Sequence, residues 1–264
     1  MTAVSNEAAR ELLTFYAEAG VDALVAEAPV NRFARADAPP PRTVPQARAP
    51  EVRSVPLAPL NVPASPDAAA LAAREIVEKI ATLDELRAAL DKFEGCALRA
   101  TATQLVFADG NPQARVMLVG EAPGRDEDIE GLPFVGRSGK LLDRMLAAIG
   151  LDRTQVYIAN IIPWRPPGNR TPTPQESAIC LPFVRKQIEL VNPDVLVCLG
   201  GPSATTLLGM KDGITKTRGR WLSFNTGTRE IRAMPMLHPA YLLRSPIGKR
   251  LAWRDLLAIR KALG

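Results

Sequence analysis

Arg115-Val116-Met117-Leu118-Val119-Gly120 is a short apolar run that closes on the turn Glu121-Ala122-Pro123-Gly124. A run without polar alternation suits a strand buried on both faces. Similar runs recur at 156–162, 194–200 and 231–237, separated by stretches with helical signals at about 139–149, 173–191, from 201 onward and at 250–262. Thr173-Pro174-Gln175-Glu176 marks one helix start by its hydroxyl cap, its Pro at the first helical position and its Glu three residues after the cap. Strands separated by helices predict an α/β fold, a parallel sheet covered on both faces. In such sheets ligands bind outside the carboxyl ends of the strands.

Working back toward the N-terminus, two further helices are expected around 67–79 and 83–92. The stretch 34–66 holds nine prolines in 33 residues and no aromatic residue, a composition that disfavours a packed core and reads as a linker. Residues 1–33 read as a short helical hairpin, with Leu12, Leu13, Tyr16 and Leu24 at roughly helical intervals. The expected organisation is a helical segment at 1–33, a Pro/Ala-rich linker at 34–66 and a catalytic domain at 67–264.

The chain of 264 residues is 47% apolar and 23% charged, which excludes disorder throughout. Its net charge of +5 is too small to identify a partner. The distribution says more: Lys216 to Gly264 carries eleven basic residues against two acidic ones, the place where a polyanion would sit. Three cysteines without a close pair suit a reducing compartment. No basic start followed by an apolar run and no long apolar stretch is present, so a cytoplasmic protein without membrane association is expected.

The segments after the strands hold the chemistry. Glu121 follows the first strand directly, where neither helix charge nor solubility explains a carboxylate, the competing role being an N-cap for the next segment. Glu127 and Asp128 form an acidic pair farther on, of a kind usually just solvated. Phe134, between Pro133 and Val135, would by itself be a core anchor. Asn160 ends the second strand, where its amide can both donate and accept, as reading a nucleobase edge requires. His238, the only histidine, ends the last strand. In isolation it would be a core or capping residue, but there it can face a ligand.

Taken in order, GEAPG at 120–124, GLPFVGRSGKLLDRML at 131–146, Asn160 with RPPGNRTPTPQE at 165–176, and HPAYLLR at 238–244 resemble the family 4 uracil-DNA glycosylases, which usually carry an iron-sulfur cluster. The resemblance runs from about Cys96 to the C-terminus. It implies a three-layer α/β/α sandwich around a mainly parallel four-stranded sheet, and an enzyme of base excision repair that flips uracil from DNA and hydrolyses its N-glycosidic bond. By resemblance Glu121, Glu127 and His238 are catalytic, and Gly120, Ala122, Phe134 and Asn160 bind the base. The expected DNA contacts are Arg137, Ser138, Gly139, Lys140, Arg165, Asn169, Arg170, Leu242, Leu243 and Arg244, with Leu242 or Leu243 as the wedge entering the duplex. Uracil-containing DNA is the implied partner, acted on by a monomer associated with the nucleoid.

The chain departs from the family at the cluster. Relatives use four cysteines; here Phe93 and Trp164 stand at two of those positions and only Cys96 and Cys180 remain. Thiolate ligation of a [4Fe–4S] cluster takes four cysteines, so no iron-sulfur cluster, no metal site and no other cofactor is expected. The loop after the PFVG segment has no histidine, so covalent trapping on the abasic product is not expected either. The alternative is a protein of the same fold that binds uracil or abasic DNA with little or no catalysis. A nucleotide enzyme using 120–124 as a phosphate turn lacks the required glycine spacing.

Overall fold

The computed structural model describes Thr14 and residues 65–264. The expected helical segment at 1–33 and nearly all of the linker at 34–66 lie outside the described residues. Ser65 accepts a hydrogen bond from the Ala68 amide and caps α1 (Pro66–Glu78), and the Thr82–Glu85 capping box opens α2 (Leu83–Lys92). A single turn, α3 (Leu98–Thr101), leads toward the sheet.

Six strands are present among the described residues: β1 (Asp109–Gly110), β2 (Val116–Gly120), β3 (Val156–Asn160), β4 (Val195–Leu199), β5 (Leu222–Asn225) and β6 (Glu230–Met236). Their order is β1-β3-β2-β4-β6-β5. The four central strands are parallel, as the sequence implies, while β1 and β5 add antiparallel edges that are too short to announce themselves by periodicity. Every residue of β2, β3 and β4 is buried, which explains their unbroken apolar runs.

Alternation along the strands divides the core in two. Met117, Val119, Tyr157 and Ala159 face α6 (Pro174–Val191), which packs on α1 and α2. Val116, Leu118, Val156 and Ile158 face α5 (Arg137–Ala147) and α10 (Lys249–Leu263). The capping box read at Thr173 and Glu176 forms, with Glu176 Oε2 accepting from the Thr173 amide at 2.7 Å.

Strand order places the site. From β2 the chain passes to β3 on one side and then returns across β2 to β4 on the other. Connections leaving in opposite directions open a crevice at the carboxyl ends of β2 and β4. Two six-residue helices at that edge, α4 (Arg125–Glu130) and α9 (Pro239–Arg244), were expected as loops. Six residues are too few for a helical repeat to show in a sequence. Between β4 and β6, α7 (Gly201–Leu208) and the short α8 (Ile214–Thr217) complete the described helices.

Candidate active site

Gly120 and Asn160 are register partners at the ends of β2 and β3. A Cβ on residue 120 would stand 2.4 Å from Asn160 Oδ1 and 2.8 Å from the Phe134 ring, so only glycine lets these three groups meet. The chain then turns through Glu121, Ala122 and Pro123, which line a cavity of about 570 Å³ together with Phe134, Asn160 and His238. The residues expected at both ends of the sequence motif therefore face one space.

Glu121 is half-buried, and burial raises its pKa above the ordinary carboxylate value. Its carboxylate has no hydrogen-bond partner among the described residues. The N-capping role that competed for it falls elsewhere: Gly124 is the N-cap of α4, and Glu127, buried in the first turn, reaches back to its amide. Glu127 Oε2 accepts from the Gly124 amide at 3.0 Å, and Oε1 accepts from the amides of Val135 at 3.1 Å and Gly136 at 3.0 Å. With both oxygens engaged, Glu127 bolts the 120–124 turn to the loop that carries Phe134. It also lines the cavity wall, where it was expected, with both oxygens engaged by backbone amides. Asp128 is buried as well and accepts from the Thr103 amide and hydroxyl, both at 2.8 Å.

Phe134 adopts a left-handed backbone with φ of 56°, unusual for a bulky residue. Two devices hold it there. A Cβ on Gly139 would fall 1.6 Å from the Phe134 carbonyl oxygen, so α5 can approach only because residue 139 is glycine. Arg153 donates to the carbonyls of Pro133, at 3.1 Å, and Phe134, while pairing with Asp109 at 2.6 Å and Asp143 at 2.8 Å. Gly139, expected to touch DNA, is thus a buried packing residue. Arg153 escapes sequence reasoning because its partners lie in three separate segments.

His238 lies two residues past the end of β6, a little beyond the expected strand end, and caps α9, its Nδ1 accepting from the Ala240 amide at 3.1 Å. Both readings of the lone histidine hold, since it caps a helix and lines the cavity. An acceptor at Nδ1 leaves the proton of the neutral ring on Nε2. Burial, with the nearby charge of Arg244, lowers its pKa to about 4, so the ring is neutral at physiological pH. Gly200, at φ of 94°, brings the β4–α7 turn within 3.2 Å of the His238 Cβ, counted from the position its own Cβ would take.

A second groove of about 510 Å³ adjoins the cavity, sharing Ser138, Asn169 and Arg244 with it and adding Arg125, Arg137 and Leu243. Sequence reading missed Arg125 and Tyr241, the latter at the cavity mouth. Other expected DNA contacts make bonds within the protein. Arg165 donates to Asn169 Oδ1 at 2.7 Å, and Arg170 forms a two-pronged pair with Glu176 at 2.6 and 2.9 Å. These bonds brace the 165–170 loop. Lys140 is exposed on α5 outside both linings. Leu242 is only 1% exposed and belongs to the core, so it is no wedge in this structure: α9 turns its side chain inward and leaves Tyr241 and Leu243 outside.

Cys96 and Cys180, the two cysteines that the resemblance matched to cluster positions, lie together, Cys180 Sγ donating to Cys96 Sγ at 4.0 Å. The hydrogen bond from Cys180 lowers the pKa of Cys96 and raises that of its donor, whose burial adds to the rise. Phe93 and Trp164 are buried in the same core, and Phe93 meets Phe183 edge-on with centroids 4.9 Å apart. Among the described residues no three His, Cys, Asp or Glu side chains converge. Two thiols and two aromatic rings do not fit a [4Fe–4S] cluster.

A ring face, an amide and a neutral imidazole around one slot, at the carboxyl edge of a parallel sheet, define an α/β protein built to hold a planar heterocycle. Residues 107–257 match the family model of the uracil DNA glycosylase superfamily. The chain is 45% identical over 155 residues to the type-4 uracil-DNA glycosylase of Thermotoga maritima, covering 58% of this chain and 79% of the relative. The type-4 enzyme of Archaeoglobus fulgidus is 40% identical over 62% of this chain and 85% of its own, and that of Saccharolobus solfataricus 38% over 68% and 84%. The chain belongs to the uracil-DNA glycosylase superfamily.

Proposed function

We propose that this protein removes uracil from DNA and leaves an abasic site. The observation that carries the reading is the single cavity in which Glu121, Phe134, Asn160 and His238 meet at the carboxyl ends of the parallel strands. Phe134 offers its ring face to the extruded base, and Asn160 offers its amide, which has no hydrogen-bond partner among the described residues, to the pyrimidine edge. Nε2–H of His238 donates to uracil O2. As the N1–C1′ bond breaks, its electron pair leaves on the base, and this donor stabilises the resulting anion. Water adds its oxygen to C1′, Glu121 accepts the water proton, and solvent protonates the released uracil. A neutral imidazole serves here because it donates a hydrogen bond without giving up its proton.

Arg125, Arg137 and Arg244, with Ser138, line the adjoining groove as the path for the DNA backbone, contacts that are salt-sensitive. The enzyme works as a monomer on nucleoid DNA in the cytoplasm, without an iron-sulfur cluster. One chain supplies every group that the site uses, and the cluster region holds two thiols where four are needed. No described helix is long and apolar enough to cross a membrane.

Release of free uracil from oligonucleotides carrying one uracil opposite G, opposite A or unpaired tests the reading, with Glu121→Gln and His238→Ala as controls. Each variant is expected to lose roughly two to three orders of magnitude in rate. Binding of uracil or abasic DNA with no uracil release by the unaltered protein would leave a recognition module in place of an enzyme.

A further inference from the structure

Extruding a base leaves a gap in the duplex stack, and proteins that hold such a gap open insert an apolar side chain into it. That side chain has to stand out from the protein beside the base pocket. Leu242 is disqualified by burial and Leu243 is 38% exposed, whereas Ile247 is 80% exposed, the highest value among the large apolar side chains described.

Ile247 occupies the 3₁₀ turn Pro246–Gly248 between α9 and α10. The turn is fixed to the cavity rim. Ser245 donates its amide to the Tyr241 carbonyl at 2.8 Å, and Gly248 donates to Ser245 at 3.0 Å. A Cβ on Gly248 would lie 3.1 Å from Leu242 and 3.4 Å from both Leu237 and the Tyr241 ring, so the turn is pressed against α9 with no side chain between them. Tyr241 and Arg244 on α9 line the cavity. Arg244, Lys249, Arg250 and Arg254 are exposed on the same stretch of chain as Ile247, and residues 239–254 contain no carboxylate. An aliphatic side chain held in water on a stretch of chain whose exposed charges are all cationic suits a duplex, whose phosphates meet the cations while its stack accepts the isoleucine.

We infer that Ile247 is the wedge that enters the duplex and keeps the uracil extruded. This rests on the uracil-excision reading and deepens it. A β-branched side chain on a Pro–Gly-bounded turn has little freedom to lose on insertion.

The test compares uracil release from duplex and single-stranded oligonucleotides by Ile247→Ala, Ile247→Asp and Leu243→Ala, with 2-aminopurine beside the uracil reporting extrusion. Ile247→Ala is expected to lower kcat/KM on duplex by roughly tenfold and Ile247→Asp by more, with single-strand rates within about twofold of the unaltered protein. The 2-aminopurine rise on duplex should shrink in parallel. Equal losses on both substrates, full duplex activity of Ile247→Asp, or a duplex-specific loss confined to Leu243→Ala would overturn the assignment. Absence of uracil release by the unaltered protein from either substrate would instead sink the excision reading itself, and this assignment with it.

Discussion

The Phe134 ring lies beside the His238 imidazole, their centroids 5.4 Å apart and their planes tilted by 31°. One ring is braced by Gly139 and Arg153, the other by the Ala240 amide, so stacking face and hydrogen-bond donor are set before a ligand arrives. Preorganisation of this kind is what makes a donor effective at a developing anion.

The imidazole should be observable as one neutral tautomer. Nitrogen NMR is expected to show the proton on Nε2 from neutrality down to about pH 5, with protonation near the value of about 4 that burial imposes. An unfolded His titrates near its ordinary 6.5, so between there and about 4 the unfolded chain binds more protons and the fold loses stability as pH falls. His238→Gln should flatten that part of the stability profile. A His238 titrating near 6.5 would refute it.

With Glu121 as the proposed acceptor of the water proton, the acid limb of kcat/KM is expected to be its own. The proposed step uses the ionised carboxylate, and burial lifts its pKa above the ordinary 4.5, so activity should rise with pH through a limb above that value. His238 lies lower and is already neutral there. A limb at or below 4.5 contradicts this order.

Glu127→Ala should destabilise the fold by about 2–4 kcal/mol, because the amides of Gly124, Val135 and Gly136 lose their acceptor. Glu127→Gln retains one carbonyl oxygen and should recover part of the thermal stability and activity. If the two variants are equally inactive while both melt like the unaltered protein, Glu127 acts in the chemistry rather than in positioning.

Arg153→Ala frees the Phe134 loop and strands Asp109 and Asp143 without their cation. A kcat reduced by roughly tenfold or more is expected, with Arg153→Lys rescuing little because one ammonium cannot span carbonyls and carboxylates together. Steady-state kinetics with 2-aminopurine stacking would reveal an unaffected loop if this is wrong.

Protein purified without oxygen should contain far less than one iron per chain. Phe93→Cys combined with Trp164→Cys restores four thiols around Cys96 and Cys180 and should acquire iron and brown colour on reconstitution. Stoichiometric iron in the unaltered protein would overturn the expected absence of a cluster.

Patterns that depend on neighbours in the chain were legible without coordinates. The buried strands and the Thr173 capping box follow from local spacing, and the set Glu121, Phe134, Asn160 and His238 from the resemblance carried by the ordered motifs. The helices α4 and α9 were not legible, since each is shorter than two turns and is held by contacts made elsewhere. Lys140 and Arg170 look alike as cations, but only the folded chain sets Glu176 against one of them.

The α/β class and the chemical groups of the site could be read from residue type and from spacing over a few turns of chain, and the two missing cluster thiols from the resemblance that the motifs carry. Only the tertiary structure decided that Glu127 clamps two loops, that Arg153 braces Phe134, that Leu242 is core and that Ile247 stands in solvent. Side-chain direction and burial depend on which distant segments pack together, and a turn of one short helix is enough to move a leucine from the rim to the interior.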